Sequence, residues 1–462
     1  MFLIKKHTLN SSQYSDAYGF LIYMERRQFF KLLALSSLGA AVLPGCAGGG
    51  ASGGSSGGPV TSSTNLPLPS TGKTLLGIDV LQAENFNRIK GQRCGLVTHR
   101  AGVNGQGQRT VDVLFNAPGV KLTKLFGPEH GIDGATAAEK SVKNEKDKKT
   151  GLPVYSLYGA TRRPTPAMLS ELDVILVDFQ DIGSRSYTYI SCMKYVMEAC
   201  YSLPQPIKVI ILDRPNPLGG EKVDGPMLDA KWKSYVGAYE MPYVHGLTIA
   251  EIARWAVSTP GVLDLSESQR KNAQLDVVSM RGWRRSMMWN QTGLTWVPTS
   301  PRIPTPQAAL GYAMVGLGCI VGGFSHSFEN QMHFRFIKYS KRKSGDLVAA
   351  LGKSVAGLKL EPKIMSDGTQ GVYTQVENWS QLDPCEISLH MMKQSCIWDP
   401  TNPFSRTTGN ARDLFIKHVG SEAFFEDLRT LGANINLEAW INKWRVEANA
   451  FRLRTRPYQL YN

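Results

Sequence analysis

Val174-Ile-Leu-Val-Asp178 is a short apolar run that ends in a carboxylate, and three similar runs occupy residues 94–98, 120–126 and 209–212. Runs of this kind are typical of parallel strands that are covered on both faces. Helical stretches separate them, most clearly residues 187–203. The pattern therefore predicts βαβ units and an α/β fold with a doubly wound parallel sheet.

Polar residues follow each of the four predicted strands. They are His99-Arg100, Glu129-His130, Gln180-Asp181 and Asp213-Arg214-Pro-Asn216. Because the carboxyl ends of parallel strands meet at one edge of a sheet, where open α/β proteins bind ligands, we expect these segments to line a single crevice.

The motifs narrow the chemistry of this crevice. The sequence has no GxGxxG after the first strand, no GxxxxGK[ST] and no GxSxG. The absence of these motifs argues against dinucleotide binding, P-loop nucleotide binding and an ordinary serine hydrolase. Carboxylates, imidazoles and arginines remain, which is the inventory that glycoside hydrolysis requires.

Seven segments in order along residues 76–310 resemble the exo-β-N-acetylmuramidase family of peptidoglycan hydrolases. They are Gly77-Ile-Asp79-Val-Leu81, Leu125-Phe-Gly-Pro-Glu129-His130-Gly131, Leu152-Pro-Val-Tyr-Ser-Leu-Tyr158-Gly159, Asp178-Phe-Gln180-Asp181-Ile-Gly183-Ser-Arg185-Ser-Tyr187-Thr188-Tyr189, Leu212-Asp213-Arg214-Pro-Asn216-Pro-Leu-Gly219-Gly220, His245-Gly246-Leu-Thr248 and Ser300-Pro301. Chance does not arrange seven such motifs in family order.

The resemblance implies a Rossmann-like domain followed by a smaller α/β domain, with the cleft between them. We place these domains at residues 74–285 and 286–462. Family members remove terminal N-acetylmuramic acid from the non-reducing end of peptidoglycan fragments without a redox cofactor. The resemblance therefore implies a hydrolase that acts on peptidoglycan-derived sugars or muropeptides, and we expect no cofactor and no metal ion.

The resemblance also suggests the catalytic residues. Glu129 is similar to the family's acid/base, and Asp181 is our second carboxylate, chosen because it follows a strand. His130 and His245 are candidates for binding sugar or positioning a carboxyl group, and a structural loop histidine is an equally good interpretation of each. Tyr187 and Tyr189 are candidates for stacking on a sugar, although tyrosines that flank a helix start are more often core residues.

Substrate-binding roles are expected for four more residues. Arg185 and Arg214 have the planar guanidinium that suits the lactyl carboxylate of muramic acid. Asp213 and Asn216 share the strand-end segment of Arg214. Asp213-Arg214 is equally consistent with a structural ion pair.

One region departs from the family. Where members have a Glu-Gly-Thr-Asn segment followed by an arginine, this chain has Gly318-Cys319-Ile-Val-Gly322-Gly323-Phe-Ser-His326-Ser-Phe-Glu329. The alternative function is therefore a non-catalytic, lipid-anchored binder of cell-wall fragments with a degenerate site. A third class is a purely structural envelope protein, which would bind no fragment.

The first 73 residues have the pattern of an export signal and a tether. Met24-Glu-Arg26-Arg27-Gln-Phe-Phe-Lys31 precedes an apolar stretch that ends in Leu43-Pro-Gly-Cys46, and residues 1–23 fit no signal, which makes Met24 a candidate start. The segment resembles a twin-arginine signal with a lipobox, in which Cys46 carries the lipid.

Residues 47–73 are rich in Gly, Ser and Pro and are expected to form a flexible tether. We expect a lipid-anchored protein on the periplasmic face of a bacterial membrane, and Ala47 favours the outer membrane.

Charge and cysteine content constrain the partners. With 52 Lys and Arg against 38 Asp and Glu, the net charge is +14, which favours polyanions such as nucleic acid, anionic lipid or an acidic cell-wall polymer. Export makes nucleic acid the poorest match of the three. The seven cysteines include no CxxC pair. A disulfide between Cys385 and Cys396 is compatible with an oxidising compartment.

Overall fold

The computed structural model describes residues 72–134, 144–318, 322–326 and 332–462. Cys46, the arginine pair and nearly all of the predicted tether lie outside the described residues. The helices are α1 Gly77–Ala83, α2 Thr110–Phe115, α3 Pro166–Leu169, α4 Tyr189–Tyr201, α5 Ile249–Ser258, α6 Glu267–Lys271, α7 Pro306–Val315, α8 Ser344–Leu351, α9 Glu386–Trp398, α10 Gly409–Val419, α11 Glu422–Leu431 and α12 Leu437–Thr455. The strands are β1 Arg93–Thr98, β2 Lys121–Gly127, β3 Glu145–Lys146, β4 Pro153–Ser156, β5 Val174–Asp178, β6 Lys208–Leu212, β7 Leu275–Val278, β8 Phe324–His326, β9 Phe336–Tyr339, β10 Leu358–Ile364 and β11 Gln370–Val376.

The first sheet has seven strands in the order β3-β4-β2-β1-β5-β6-β7. All neighbouring pairs are parallel except β3 with β4 at one edge. The six parallel strands run outward from β1 in two directions, which is the order of the Rossmann fold. The predicted fold class is confirmed.

Alternate residues of β5 pack into two different cores. Val174 and Leu176 join α1 and α2 on one face of the sheet, whereas Ile175 and Val177 join α4 and α5 on the other. Both faces of the strand are therefore buried, which explains why its sequence is apolar throughout. The sheet is doubly wound, as the sequence predicts.

The helix that follows β5 is buried on almost every side, and its observed bounds, Tyr189–Tyr201, fall inside the predicted range. The predicted capping box at the start of α5 is also present. Thr248 Oγ1 accepts the Glu251 N–H at 3.3 Å, and Glu251 Oε2 accepts the Thr248 N–H at 3.0 Å. These reciprocal bonds satisfy two of the amides at the helix start.

The second sheet has four strands in the order β10-β11-β9-β8, and all its pairs are antiparallel. Side chains of α7, α8 and α9 cover it in a separate core. This confirms a smaller α/β part after the Rossmann-like part. Both sheets belong to one compact unit, and the boundary placed after residue 285 stays a prediction.

The end of the chain returns to the first sheet. The Leu460 N–H donates to Glu251 Oε1 at 2.9 Å, and the Tyr461 hydroxyl donates to Asp213 Oδ2 at 2.5 Å. The last residues therefore fasten the start of α5 to the end of β6.

Two further observations concern the described part of the chain as a whole. Each of its helices is too short or too polar to cross a bilayer. Its five cysteines are buried free thiols, and Cys385 and Cys396, the pair that the sequence singled out, are not joined.

Candidate active site

The strand order reverses between β1 and β5, so the loops after these strands leave the sheet in opposite directions. A crevice at such a point is where Rossmann-like sheets bind ligands. His99 follows β1, Glu129 follows β2, and Asp181 follows β5. The structure brings these predicted segments together at one edge.

Glu129 lies on a tight turn after β2. The Gly131 N–H donates to Pro128 O at 3.0 Å, and His130 and Gly131 have positive φ angles of 72° and 76°. A non-glycine residue rarely adopts this conformation, and such residues concentrate at functional sites. The turn holds Glu129 half-buried, with the Thr188 hydroxyl donating to its Oε2 at 3.0 Å.

Asp181 is a buried carboxylate beside a buried imidazole. Its Oδ2 accepts the Gly183 N–H at 2.7 Å and lies 3.4 Å from His245 Nε2. His245 Nδ1 accepts the Leu247 N–H at 3.2 Å, which assigns the ring proton of the neutral imidazole to Nε2, facing the carboxylate. Asp181 Oδ1 is buried and has no hydrogen-bond partner in the part of the chain described.

Tyr312 on α7 brings the second part of the fold into the cleft. Burial raises the pKa of its phenol, and the negative charges of Glu129 and Asp181 raise it further. Its hydroxyl lies 2.9 Å from Ser186 Oγ. Glu129 and Asp181 therefore both lie near this phenol.

Two tyrosines at the start of α4 form the wall between these groups. Tyr187 donates to Thr299 Oγ1 at 2.8 Å, Tyr189 donates to Thr299 O at 2.6 Å, and their ring centroids are 4.8 Å apart. Tyr189 is a core residue, whereas Tyr187 is only half-buried. Its predicted stacking on a sugar stays a prediction.

The three histidines of the predicted crevice differ in role. His130 is half-buried on the Glu129 turn. His99 Nε2 accepts the Gln180 N–H at 3.0 Å, and burial lowers the pKa of its imidazole well below the usual value. His99 therefore links the ends of β1 and β5 as a neutral ring. His245 is fully buried, which supports the expectation that it positions a carboxyl group and not that it contacts sugar.

Arg214 differs from its predicted role as a substrate clamp. Its guanidinium pairs with Asp178 through Nε–Oδ1 at 2.5 Å and Nη2–Oδ2 at 2.9 Å, and Nη2 also donates to Val103 O. Thr110 donates to the same carboxylate. Both members of the pair are buried, so Arg214 belongs to a structural ion pair, but its partner is Asp178 and not the adjacent Asp213 that the sequence suggested.

Arg185 is also not a ligand-binding residue in this structure. Its side chain is 0% exposed, and its Nη atoms donate to four backbone carbonyls, those of Pro226, Met241, His418 and Val419. Burial lowers the pKa of its guanidinium to about 10. Arg185 joins the loops after the first sheet to the end of α10, which is a structural role.

Asp213 and Asn216 likewise turn inward. Asp213 is fully buried and accepts hydrogen bonds from Thr248, Ala250 and Tyr461. Asn216 shapes its own loop, because its Oδ1 accepts the Leu218 N–H and its Nδ2 donates to Leu247 O. Both side chains are buried and bonded within the protein, so the structure shows a structural role for each, and their predicted substrate contacts stay predictions.

Sequence reasoning missed several cleft residues. Thr188 lies within a family motif, between Tyr187 and Tyr189, and Thr299 directly precedes another motif at Ser300; that position is the one signal they carry. Tyr312 lies in a helix with no such neighbour, and its contact with Ser186, on the loop after β5, brings it to the site.

The cleft combines two carboxyl groups with phenols and a neutral imidazole. Such groups can give a proton to a leaving oxygen and take one from water, which is the requirement of glycoside hydrolysis. Within the described ranges, no three His, Cys, Asp or Glu side chains cluster as metal ligands would.

Comparisons with known proteins agree with this geometry. Residues 94–307 match the family model "Exo-beta-N-acetylmuramidase NamZ, N-terminal", and residues 334–461 match the corresponding C-terminal model. The peptidoglycan beta-N-acetylmuramidase NamZ of Bacillus subtilis (strain 168) is 43% identical over 245 residues, which are 53% of this chain and 56% of that protein. The match thus spans little more than half the length of this relative.

Solved structures extend the match over the whole fold. A DUF1343 family protein from Bacteroides fragilis NCTC 9343 is 34% identical, with a TM-score of 0.76 over 84% of this chain and 99% of that chain. A second protein of that family from the same organism is 23% identical, with a TM-score of 0.63 and the same coverage, and it supports the fold alone.

Proposed function

The chain belongs to the NamZ family of exo-beta-N-acetylmuramidases, and we propose that it removes the terminal N-acetylmuramic acid residue from the non-reducing end of peptidoglycan fragments. One observation carries this proposal: Glu129 and Asp181 both follow strands at the sheet edge where the strand order reverses, and both lie near the Tyr312 phenol. Two carboxyl groups at such a place suit the cleavage of a glycosidic bond.

We assign the role of proton donor to Glu129. Its turn holds it half-buried at the cleft, where a carboxyl group can reach a substrate oxygen, and the Thr188 hydroxyl orients Oε2. Protonation of the leaving oxygen makes the departing sugar a neutral alcohol, which removes the main obstacle to bond cleavage.

Asp181 supplies the second carboxylate in this proposal. The Gly183 N–H donates to Oδ2 at 2.7 Å, and His245 Nε2 lies 3.4 Å from the same oxygen, so both restrict the orientation of the group. Oδ1 is left to accept a proton from water or to stabilise positive charge at the sugar ring. His245 acts through Asp181 and is a positioning residue.

The direct test of the reaction is release of product. The purified protein is incubated with a disaccharide that carries N-acetylmuramic acid at its non-reducing end, across a range of pH, and free N-acetylmuramic acid is measured by chromatography. We expect stoichiometric release of the terminal sugar. Tight binding of the disaccharide without release would instead support the non-catalytic binder, and absence of both would support a purely structural envelope protein.

We further propose that the protein is attached to a membrane through lipid on Cys46 and faces the periplasm. The order of the arginine pair, the apolar stretch and Leu43-Pro-Gly-Cys46 supports this. Lipid attachment would hold the cleft near its polymeric substrate. In a Cys46→Ser variant we expect the protein to move from the membrane fraction to the soluble fraction, and unchanged membrane association would refute the anchor.

A further inference from the structure

An arginine on the loop after β4 lies against an aromatic surface. The guanidinium of Arg162 lies 4.5 Å from the centroid of the Tyr235 ring and 5.6 Å from that of Tyr158, and the two rings are 6.0 Å apart. Arg162 is exposed, whereas Tyr235 is 6% exposed. The buried ring therefore supports the charged group from below and leaves its edge open to solvent.

This arginine is on the same wall of the cleft as the proposed acid. Burial raises the pKa of Tyr235, the neighbouring Cys192 and the charge of Glu129 add to the rise, and the charge of Arg162 opposes it. The geometry agrees, because Thr188, directly before α4, donates to Glu129 Oε2, and the Tyr235 ring that contacts Arg162 lies 5.7 Å from the Tyr195 ring on the same helix. A sugar whose glycosidic oxygen meets Glu129 can thus direct a substituent toward Arg162.

Three other arginines near the sheet edge have partners inside the protein, whereas Arg100 after β1 is exposed. Arg214 pairs with Asp178, Arg185 binds backbone carbonyls, and Arg109 pairs with Asp112 and Asp147. Within the described ranges, the contacts of Arg162 are with two aromatic rings and not with a carboxylate.

We propose that Arg162, supported by the Tyr235 ring, binds the lactyl carboxylate of the terminal N-acetylmuramic acid residue. The assignment rests on the proposed function and adds its specificity determinant, because this carboxylate is what distinguishes muramic acid from glucosamine. A planar guanidinium offers two parallel N–H donors to a carboxylate, and ring contact reduces the freedom that such a side chain would lose on binding.

The test measures binding and does not require turnover. Isothermal titration calorimetry compares two probes, N-acetylmuramic acid and its lactyl carboxamide, which has nearly the same shape without the charge. We expect the wild-type protein to bind the acid about tenfold or more tightly than the amide. In Arg162→Gln this preference should disappear because affinity for the acid falls to that for the amide, and Arg162→Lys should retain only part of it.

A matched control is available in Arg342, whose guanidinium lies 5.0 Å from the Trp398 ring in the second part of the fold. Arg342→Gln removes the same charge and the same kind of ring contact, and it should leave the acid-to-amide ratio unchanged. Arg302 is the rival receptor, since its charge acts on the buried His326 at the other side of the cleft. If Arg302→Gln removes the preference and Arg162→Gln does not, the assignment is overturned.

The outcomes separate this inference from the proposed reaction. If the wild-type protein releases sugar from the disaccharide and Arg162→Gln keeps the wild-type ratio of affinities for the acid and the amide, the subsite is refuted and the proposed reaction is supported. Loss of the ratio in Arg162→Gln without any release by the wild-type protein would refute the reaction and support the subsite. A wild-type protein that binds neither probe would refute the subsite.

Discussion

At the scale of single residues, the most informative pair is Asp181 with His245. The imidazole is fully buried, one nitrogen accepts a backbone N–H, and the other faces the carboxylate at 3.4 Å. A ring in this position restricts the rotation of the carboxylate. The proposed water activation by Asp181 therefore depends on a residue that does not touch substrate.

Replacing His245 should affect the reaction through Asp181. In His245→Leu we expect kcat to fall about 10-fold to 100-fold with little change in KM, because the carboxylate loses the neighbour that holds its orientation. His245→Gln keeps a polar group at this position and should recover part of kcat. Equal loss of kcat in both variants, matched by an equal loss of unfolding free energy, would mean that His245 is only a packing residue.

The sequence predicted the positions of the site residues better than the partners of their side chains. The sequence places Glu129, Asp181, Asp213 and Arg214 after strands, and all of them do follow strands. It does not show whether a polar side chain faces solvent or a partner inside the protein. Asp213 satisfies its oxygens with Thr248 and Tyr461, which no local pattern connects to it.

At the scale of elements, the buried pair Asp178–Arg214 joins the ends of β5 and β6. The carboxylate also accepts a hydrogen bond from Thr110 at the start of α2, and the arginine donates to Val103 O. Four segments around the sheet edge thus depend on one ion pair. Their arrangement determines the shape of the cleft floor.

Removing Arg214 should therefore lower stability without changing substrate preference. Arg214→Ala leaves the Asp178 carboxylate buried and unpaired, a change that typically costs about 3–5 kcal/mol of unfolding free energy. Chemical denaturation measures this loss, and the double variant with Asp178→Asn should recover part of it. A stable Arg214→Ala protein that no longer distinguishes N-acetylmuramic acid from its carboxamide would restore the clamp role.

Elements were predictable where burial alone determines the sequence. The strands β1, β2, β5 and β6 lie in cores on both faces, so each is visible as a short apolar run. The second sheet was not recognised strand by strand. β10 has exposed residues at Lys359 and along its last three positions, so its pattern differs little from that of a loop.

At the scale of the whole molecule, the last residues of the chain are hydrogen-bonded to residues at the end of β6 and the start of α5. Tyr461 donates to Asp213, and burial raises the pKa of this carboxyl group to about 7. The hydrogen bond from the phenol acts in the opposite direction, while the charge of Glu251 adds to the rise. One titrating group therefore links the chain end, α5 and β6.

This link predicts how stability depends on pH. The pKa of Asp213 is higher in the folded than in the unfolded protein. Protonated Asp213 therefore contributes fully to the unfolding free energy below the ordinary carboxyl pKa, and this contribution is lost as pH rises through about 7. The expected loss is on the order of 3 kcal/mol. Burial also raises the pKa of Glu386 to about 7, so the informative quantity is the difference between wild type and Asp213→Asn.

Denaturant unfolding at fixed temperature between pH 5 and pH 9 checks this prediction. The curve of Asp213→Asn should be flatter than that of the wild type. In Tyr461→Phe the decrease in unfolding free energy should extend to higher pH, since the phenol no longer favours the charged carboxylate. Parallel curves for wild type and Asp213→Asn would contradict the assignment of this transition to Asp213.

The central claim, that Glu129 is the proton donor of a muramidase, is tested most directly by the kcat of Glu129→Gln on the muramic-acid-terminated disaccharide. The amide cannot donate the proton but retains the shape of the side chain, so we expect kcat to fall about 10²-fold to 10⁴-fold with little change in KM. Glu267→Gln, which changes an exposed glutamate on α6, is the matched control and should keep the wild-type rate. A Glu129→Gln enzyme that releases N-acetylmuramic acid as fast as the wild type would contradict the account.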